Sequence, residues 1–154
     1  MASQGVRKRT RQERPKGILQ LDAEAPRMRA YIDADILIWH LRGERKALSF
    51  LRDLRNAEEY ELWTGAMQRA EVVFFMKPEE EEETLLFLGQ FQTAPVDKRI
   101  VDEGAALYRR WNPSHGLDIN DALLAATVLQ TGGQIFCLNT KHYPMPGLAV
   151  KKAW

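Results

Sequence analysis

Four carboxylates and one amide stand where a sequence of this kind could do chemistry. Asp33 and Asp35 directly follow the short apolar run Ala30-Tyr31-Ile32. Glu71 has Met67, Phe74 and Phe75 as its helical neighbours at three and four residues, with only Gln68 polar among them. A surface glutamate belongs on the opposite face, so this spacing predicts a carboxylate facing the core, where a charge must be paired or bound to metal. Asp121 lies beside Leu117, Leu124 and Ala125 in the same way, with Asp118 three residues earlier. Asn139 follows the apolar run Ile135–Leu138. Each has a plainer alternative. Asp33 or Asp35, and one of Asp118, Asn120 and Asp121, could serve as helix caps. Glu71 could pair with a basic residue, and Asn139 could be a turn residue.

The elements that must position these groups follow from hydrophobic period and punctuation. The pattern predicts strands over 29–32, 60–63, 94–96, 134–138 and 148–151. Helices are expected over 35–42, 46–54, 66–75, 79–91, 100–111 and 118–131, with a loop over 112–116. Strands alternating with helices predict an α/β domain with a central, mainly parallel sheet between helical layers. In such sheets sites form at the carboxyl ends of strands, where Asp33 and Asn139 fall. The run Glu79–Glu83 is expected to be a solvated helix start, because adjacent acids point around a helix rather than converge; acids also suit a helix N-terminus.

If Asp33, Glu71 and Asp121 share one sheet edge, they form an all-oxygen donor set without His or Cys. Such a set selects Mg²⁺ or Mn²⁺. That chemistry suits phosphodiester hydrolysis, with an activated water and stabilised attacking and leaving oxygens.

Composition narrows the class. The chain has 154 residues, 45% of them apolar, enough for one domain with a core. No run approaches the roughly 20 apolar residues of a membrane span. The basic start has no apolar stretch behind it and is not expected to be a secretory signal. A single cysteine, Cys137, excludes an internal disulfide framework and fits a reducing cytoplasm. Net charge is +1, but residues 1–28 carry seven Lys/Arg against three acids. Residues 1–27 are therefore expected to be a basic tail, with an apolar hook at Ile18-Leu19-Leu21, able to attract a nucleic-acid backbone. Residues 28–154 form the expected nuclease domain.

The motifs resemble those of the PIN-domain family and, within it, the VapC-type toxins. Tyr31-Ile32-Asp33-Ala34-Asp35-Ile36-Leu37-Ile38 resembles the family's strand-Asp-Thr-Asn-Val-Leu-Ile opening. Ala66-Met67-Gln68-Arg69-Ala70-Glu71-Val72 is similar to its Ala-Ile-Thr-x-Ala-Glu-Leu helix. Asp121-Ala122-Leu123-Leu124-Ala125-Ala126-Thr127 is similar to Asp-Ala-Leu-Ile-Ala-Ala-Thr, and Asn139-Thr140-Lys141-His142-Tyr143-Pro144 to Asn-x-Lys-His-Phe-Pro. The resemblance implies a PIN-like three-layer α/β/α fold and a metal-dependent endoribonuclease. It further implies a homodimer held inactive by a cognate antitoxin. It carries over Asp33, Glu71 and Asp121 as the acidic site, with Asn139 at the place of a fourth, often acidic, residue. Ala34, Gly65 and Gln68 depart from the usual Thr, Ser and Thr and remove hydroxyls around the site; Asp35 replaces the usual Asn and adds a charge.

Two rivals share some of these features. Haloacid-dehalogenase-like phosphatases also open on strand-Asp-x-Asp, but they need a downstream Lys and an acidic pair after a later strand, which here ends in Asn139. A non-catalytic RNA-binding or regulatory PIN relative is the alternative: the three retained acids argue against it, while the lost hydroxyls and Asn139 argue for it.

Overall fold

The computed structural model describes residues 25–154. The expected basic residues and apolar hook before residue 25 lie outside the described residues. Five strands form one sheet in the order β3-β2-β1-β4-β5. They are β1 (Met28–Ile32), β2 (Tyr60–Gly65), β3 (Gln92–Ala94), β4 (Gln134–Cys137) and β5 (Val150–Lys152). Every pairing is parallel, with Ala30 opposite Leu62 on one side and Gln134 on the other. The helices are α1 (Ala34–Leu41), α2 (Arg45–Asn56), α3 (Ala66–Val73), α4 (Glu81–Leu88), α5 (Lys98–His115) and α6 (Ile119–Thr131).

The alternation of side chains along a strand builds the layers. In β1, Ala30 and Ile32 face one way and pack with Ile36, Leu37, Leu51, Leu54 and Phe136. Tyr31 faces the other way, with Ile135 and Cys137 of β4, and packs against Leu124, Ala125 and Val128 of α6. Both faces of the sheet are therefore covered, which is why its central strands read as continuous apolar runs. The three-layer α/β/α architecture follows.

Some expectations need correction. The loop expected over 112–116 is helix to His115. Pro113 has no N–H to give the preceding turn, but Gly116, at φ 63°, closes the helix by donating to the Asn112 carbonyl at 2.9 Å. The Asn112 side chain also donates to the Leu117 carbonyl at 2.9 Å, fixing the exit. The helix expected over 79–91 divides into a 3₁₀ turn at Pro78–Glu80 and α4, and β3 falls two residues earlier than expected. The last concerns Phe74 and Phe75. They lie beyond the last residue of α3 and are 80% and 83% exposed, so they do not form a buried face with Glu71.

The order of the strands positions the site. From β1 the chain moves outward through β2 and β3, then returns to place β4 on the other side of β1. The crevice at such a reversal, outside the carboxyl ends of the strands, is where parallel sheets hold ligands.

Candidate metal centre

Asp33 is the first residue beyond β1, and its N–H extends the ladder by donating to the Phe136 carbonyl at 3.0 Å. It caps α1, its Oδ1 accepting from the Ala34 N–H at 2.8 Å. The cap does not use up the side chain. Asp33 Oδ2 accepts from the Tyr143 hydroxyl at 2.6 Å, in a buried contact. Burial, first, and then the charge of Asp35 push the Asp33 carboxyl up to about 8, against a lowering by the Tyr143 bond.

Asp121 arrives from the start of α6. Asp118 caps that helix, accepting from the Asp121 N–H at 2.8 Å, while Asp121 Oδ2 accepts from the Asp118 N–H at 3.1 Å. This reciprocal pair satisfies two helix-end donors and fixes the Asp121 rotamer. Asp121 Oδ2 also lies 3.2 Å from His142 Nδ1, and Asp121 Oδ1 lies 3.2 Å from the Tyr143 hydroxyl. Burial raises the Asp121 carboxyl as well. Asp33 and Asp121, from opposite halves of the sequence, thus face one hydroxyl.

Glu71 is half-buried on α3. The face that seats α3 is Gln68 and Val72, which are buried. Gln68 donates to the Asn120 carbonyl at 3.1 Å, tying α3 to the start of α6 and bringing Glu71 to the same edge. Burial raises the Glu71 carboxyl; the Asn120 side chain offsets this, and the charges of Asp118, Asp121 and Asp35 add to the rise. The two departures at Gly65 and Gln68 explain each other: a Cβ at residue 65 would overlap Gln68 Oε1, so the glycine makes room for a buried amide where the family usually places hydroxyls.

Asp35 uses both oxygens on backbone, accepting from Ile36 N–H at 2.7 Å and from Leu138 N–H at 3.0 Å. It pins α1 to the end of β4, and burial raises its carboxyl. Asn139 is exposed and caps the short turn Thr140–His142, accepting from the Lys141 N–H at 3.3 Å. Its amide nitrogen lies 3.0 Å from His142 Nε2, so it reaches Asp121 only through His142. Tyr143, the residue that joins the acids, was not singled out by sequence reasoning. The one signal was its hydroxyl at the place of a family phenylalanine.

The donor chemistry fits a hard divalent cation. The groups are carboxylate oxygens, desolvated and mutually repelling, and a cation would favour their charged forms. Among the described residues no three His, Cys, Asp or Glu side chains gather closely enough to hold an ion as they stand. Asp33 and Asp121 are the pair already converged; Glu71 stands at the wall of a cleft of about 510 Å³, lined also by the apolar Ile38, Leu41 and Val72 and the charged Arg42, Glu80 and Glu83. Among the described residues no helix is long and apolar enough to cross a membrane.

The sequence profile of the PIN domain matches residues 30–146. Ribonuclease VapC10 of Mycobacterium tuberculosis (strain ATCC 25618 / H37Rv) is 31% identical over 115 residues, which cover 74% of this chain and 85% of the relative. Ribonuclease VapC19 of the same strain is 32% identical over 115 residues, covering 74% and 91%. Among solved structures, a toxin–antitoxin complex from Klebsiella pneumoniae superposes with a TM-score of 0.67 at 24% identity, over 81% of this chain and 98% of that one. VapBC2 from Rickettsia felis, bound to a DNA fragment from its promoter, gives 0.63 at 18% identity over 81% and 98%. At these identities the structural likeness speaks for the fold alone.

Proposed function

We propose, from the premise that the chain belongs to the PIN domain family and to its VapC branch, that it is a metal-dependent endoribonuclease and the toxin of a type II toxin–antitoxin pair. The observation that carries this reading is the meeting of Asp33 and Asp121 at one buried hydroxyl, with Glu71 near enough to feel the Asp121 charge. The named relatives are ribonucleases.

Asp33, Glu71 and Asp121 would hold Mg²⁺ or Mn²⁺. When bound, such an ion supplies a nucleophilic water near neutral pH and charge to steady the leaving oxygen of a phosphodiester. The chain's own residues prepare the place. Asp118 and His142 hold Asp121 by one oxygen, and Ala34 N–H holds Asp33 by one of its own. The other oxygen of each acid faces the Tyr143 hydroxyl. Asp35 locks the floor by joining α1 to β4. Asn139 belongs to the reading as the support of His142.

The cleft beside Glu71 suits an antitoxin segment. Apolar side chains would lie against Ile38, Leu41 and Val72, and a guanidinium could pair with the carboxylates. A homodimer belongs to the same reading, as does a reducing cytoplasm, which the buried lone Cys137 suits. Residues 1–27 would be a basic tail on the nuclease domain that grips RNA by charge; their removal should flatten the salt dependence of RNA binding.

The test is cleavage of a defined single-stranded RNA by the purified protein. Cleavage should stop with excess chelator and return when Mg²⁺ or Mn²⁺ is restored. Cleavage that persists in chelator would contradict the reading.

A further inference from the structure

Tyr143 brings a buried hydroxyl to both acids. Its ring is 5% exposed and belongs to the core that contains Leu117, Leu124, Cys137 and Met145. Its backbone N–H donates to the Thr140 carbonyl at 3.1 Å, so the tight turn after β4 fixes where the ring enters the core. The ring therefore has little freedom, and the position of its oxygen is determined by the fold.

That oxygen lies between the two acids. Asp33 Oδ1 is engaged by Ala34 N–H, and Asp121 Oδ2 by Asp118 N–H and His142. The oxygens that remain, Asp33 Oδ2 and Asp121 Oδ1, both meet the Tyr143 hydroxyl, at 2.6 and 3.2 Å. A hydroxyl has one proton and two lone pairs. It donates to one carboxylate at a time, and the shorter contact marks Asp33 as the main acceptor. With a phenylalanine ring no side-chain hydroxyl would bridge these two buried oxygens, and the orientation that it imposes on both acids at once would be lost.

We propose that Tyr143 is a positioning residue: its hydroxyl ties Asp33 to Asp121 and holds the two carboxylates at the separation and orientation in which they take up a divalent cation. The proposal rests on the metal-dependent reading of the site. Hydrogen-bond partners of ligating carboxylates contribute to metal affinity by orienting them, and their loss weakens binding roughly 10–100-fold. Tyr143 is one such partner, shared by two ligands.

The experiment is a Mn²⁺ titration followed by electron paramagnetic resonance on the full chain, for wild type, Asp33→Asn, Tyr143→Phe and Met145→Leu. Tyr143→Phe removes one oxygen and keeps the ring, and circular dichroism checks that the fold is retained. Met145→Leu perturbs the same core without touching either acid and controls for packing. The expected result is Asp33-dependent Mn²⁺ binding in wild type, about tenfold weaker in Tyr143→Phe and unchanged in Met145→Leu. In RNA cleavage at subsaturating Mn²⁺, Tyr143→Phe should recover as Mn²⁺ is raised, with KM for RNA unchanged. Equal or tighter Mn²⁺ binding by Tyr143→Phe, or an equal loss in Met145→Leu, overturns the positioning role while leaving the metal reading intact. Failure of wild type to bind Mn²⁺ in an Asp33-dependent way overturns both.

Discussion

Two acidic regions of this molecule differ in what they do with their charge. Glu79–Glu83 places five carboxylates side by side, all exposed, where the short 3₁₀ turn passes into α4. One of them, Glu80, accepts from the Lys77 N–H at 2.9 Å; the run otherwise suits a solvated helix start. Asp33, Glu71 and Asp121 come from three separate segments, yet the fold brings Asp33 and Asp121 together at one buried hydroxyl and leaves Glu71 half-buried within reach of the Asp121 charge. Sequence density of acids therefore says little about a site. Burial and convergence raise proton affinity and create the demand for a cation, and they are properties of the topology.

The largest effect that could break this contrast is on catalysis. Asp33→Asn should lower RNA cleavage by on the order of 10⁴-fold, and the double change with Asp121→Asn should look little worse, because residues that act as a unit lose function non-additively. Two independent, multiplying losses would show that the acids do not work together.

The next effect is on stability. The folded Asp33 carboxyl keeps its proton to about 8, against 3.8 for the ordinary group. Its folded value is the higher one, so the folded state binds the extra proton. Its stabilising contribution is complete below about 4 and is lost as pH rises toward 8. Asp35, Glu71 and Asp121 are shifted in the same direction. In chelator, the melting temperature should fall across this window, and Mg²⁺ or Asp33→Asn should flatten the fall. A melting temperature that climbs from pH 4 to 8 in chelator would refute the buried-acid account.

Asp118 separates capping from chemistry within the site itself. Asp118→Ala removes the side-chain N-cap of α6 but keeps the backbone N–H that holds Asp121 Oδ2; it should cost roughly 0.5–2 kcal/mol in denaturant unfolding, with cleavage retained in the folded fraction. The smallest effect belongs to the exposed run: Glu81→Gln and Glu82→Gln should each change stability by less than about 0.5 kcal/mol.

Much of this was legible in the sequence. The parallel α/β architecture followed from the alternation of apolar runs, and Asp33 at the end of β1 from the strand's abrupt stop. The solvated character of Glu79–Glu83 followed from adjacency alone. Other features were not legible, for physical reasons. Glu71 is placed by the Gln68 amide reaching Asn120, a tertiary contact that the expected apolar face of Phe74 and Phe75 did not foreshadow. Asn139 shows a turn-capping role that depends on the backbone path after β4. Tyr143 reads as one more aromatic until the fold brings its oxygen to two carboxylates. The segment 112–116 reads as a loop, and the closure of α5 at Gly116 shows it to be helix to His115.

The most direct measurement compares the two regions in one assay: Mg²⁺-dependent cleavage of a single defined RNA by Asp121→Asn and by the triple variant Glu79→Gln, Glu81→Gln, Glu82→Gln, both verified as folded. The account predicts that losing three exposed charges leaves the rate within about twofold of wild type, as expected for surface changes away from the site, while losing the single charge at Asp121 abolishes cleavage. Wild-type cleavage by Asp121→Asn would contradict it.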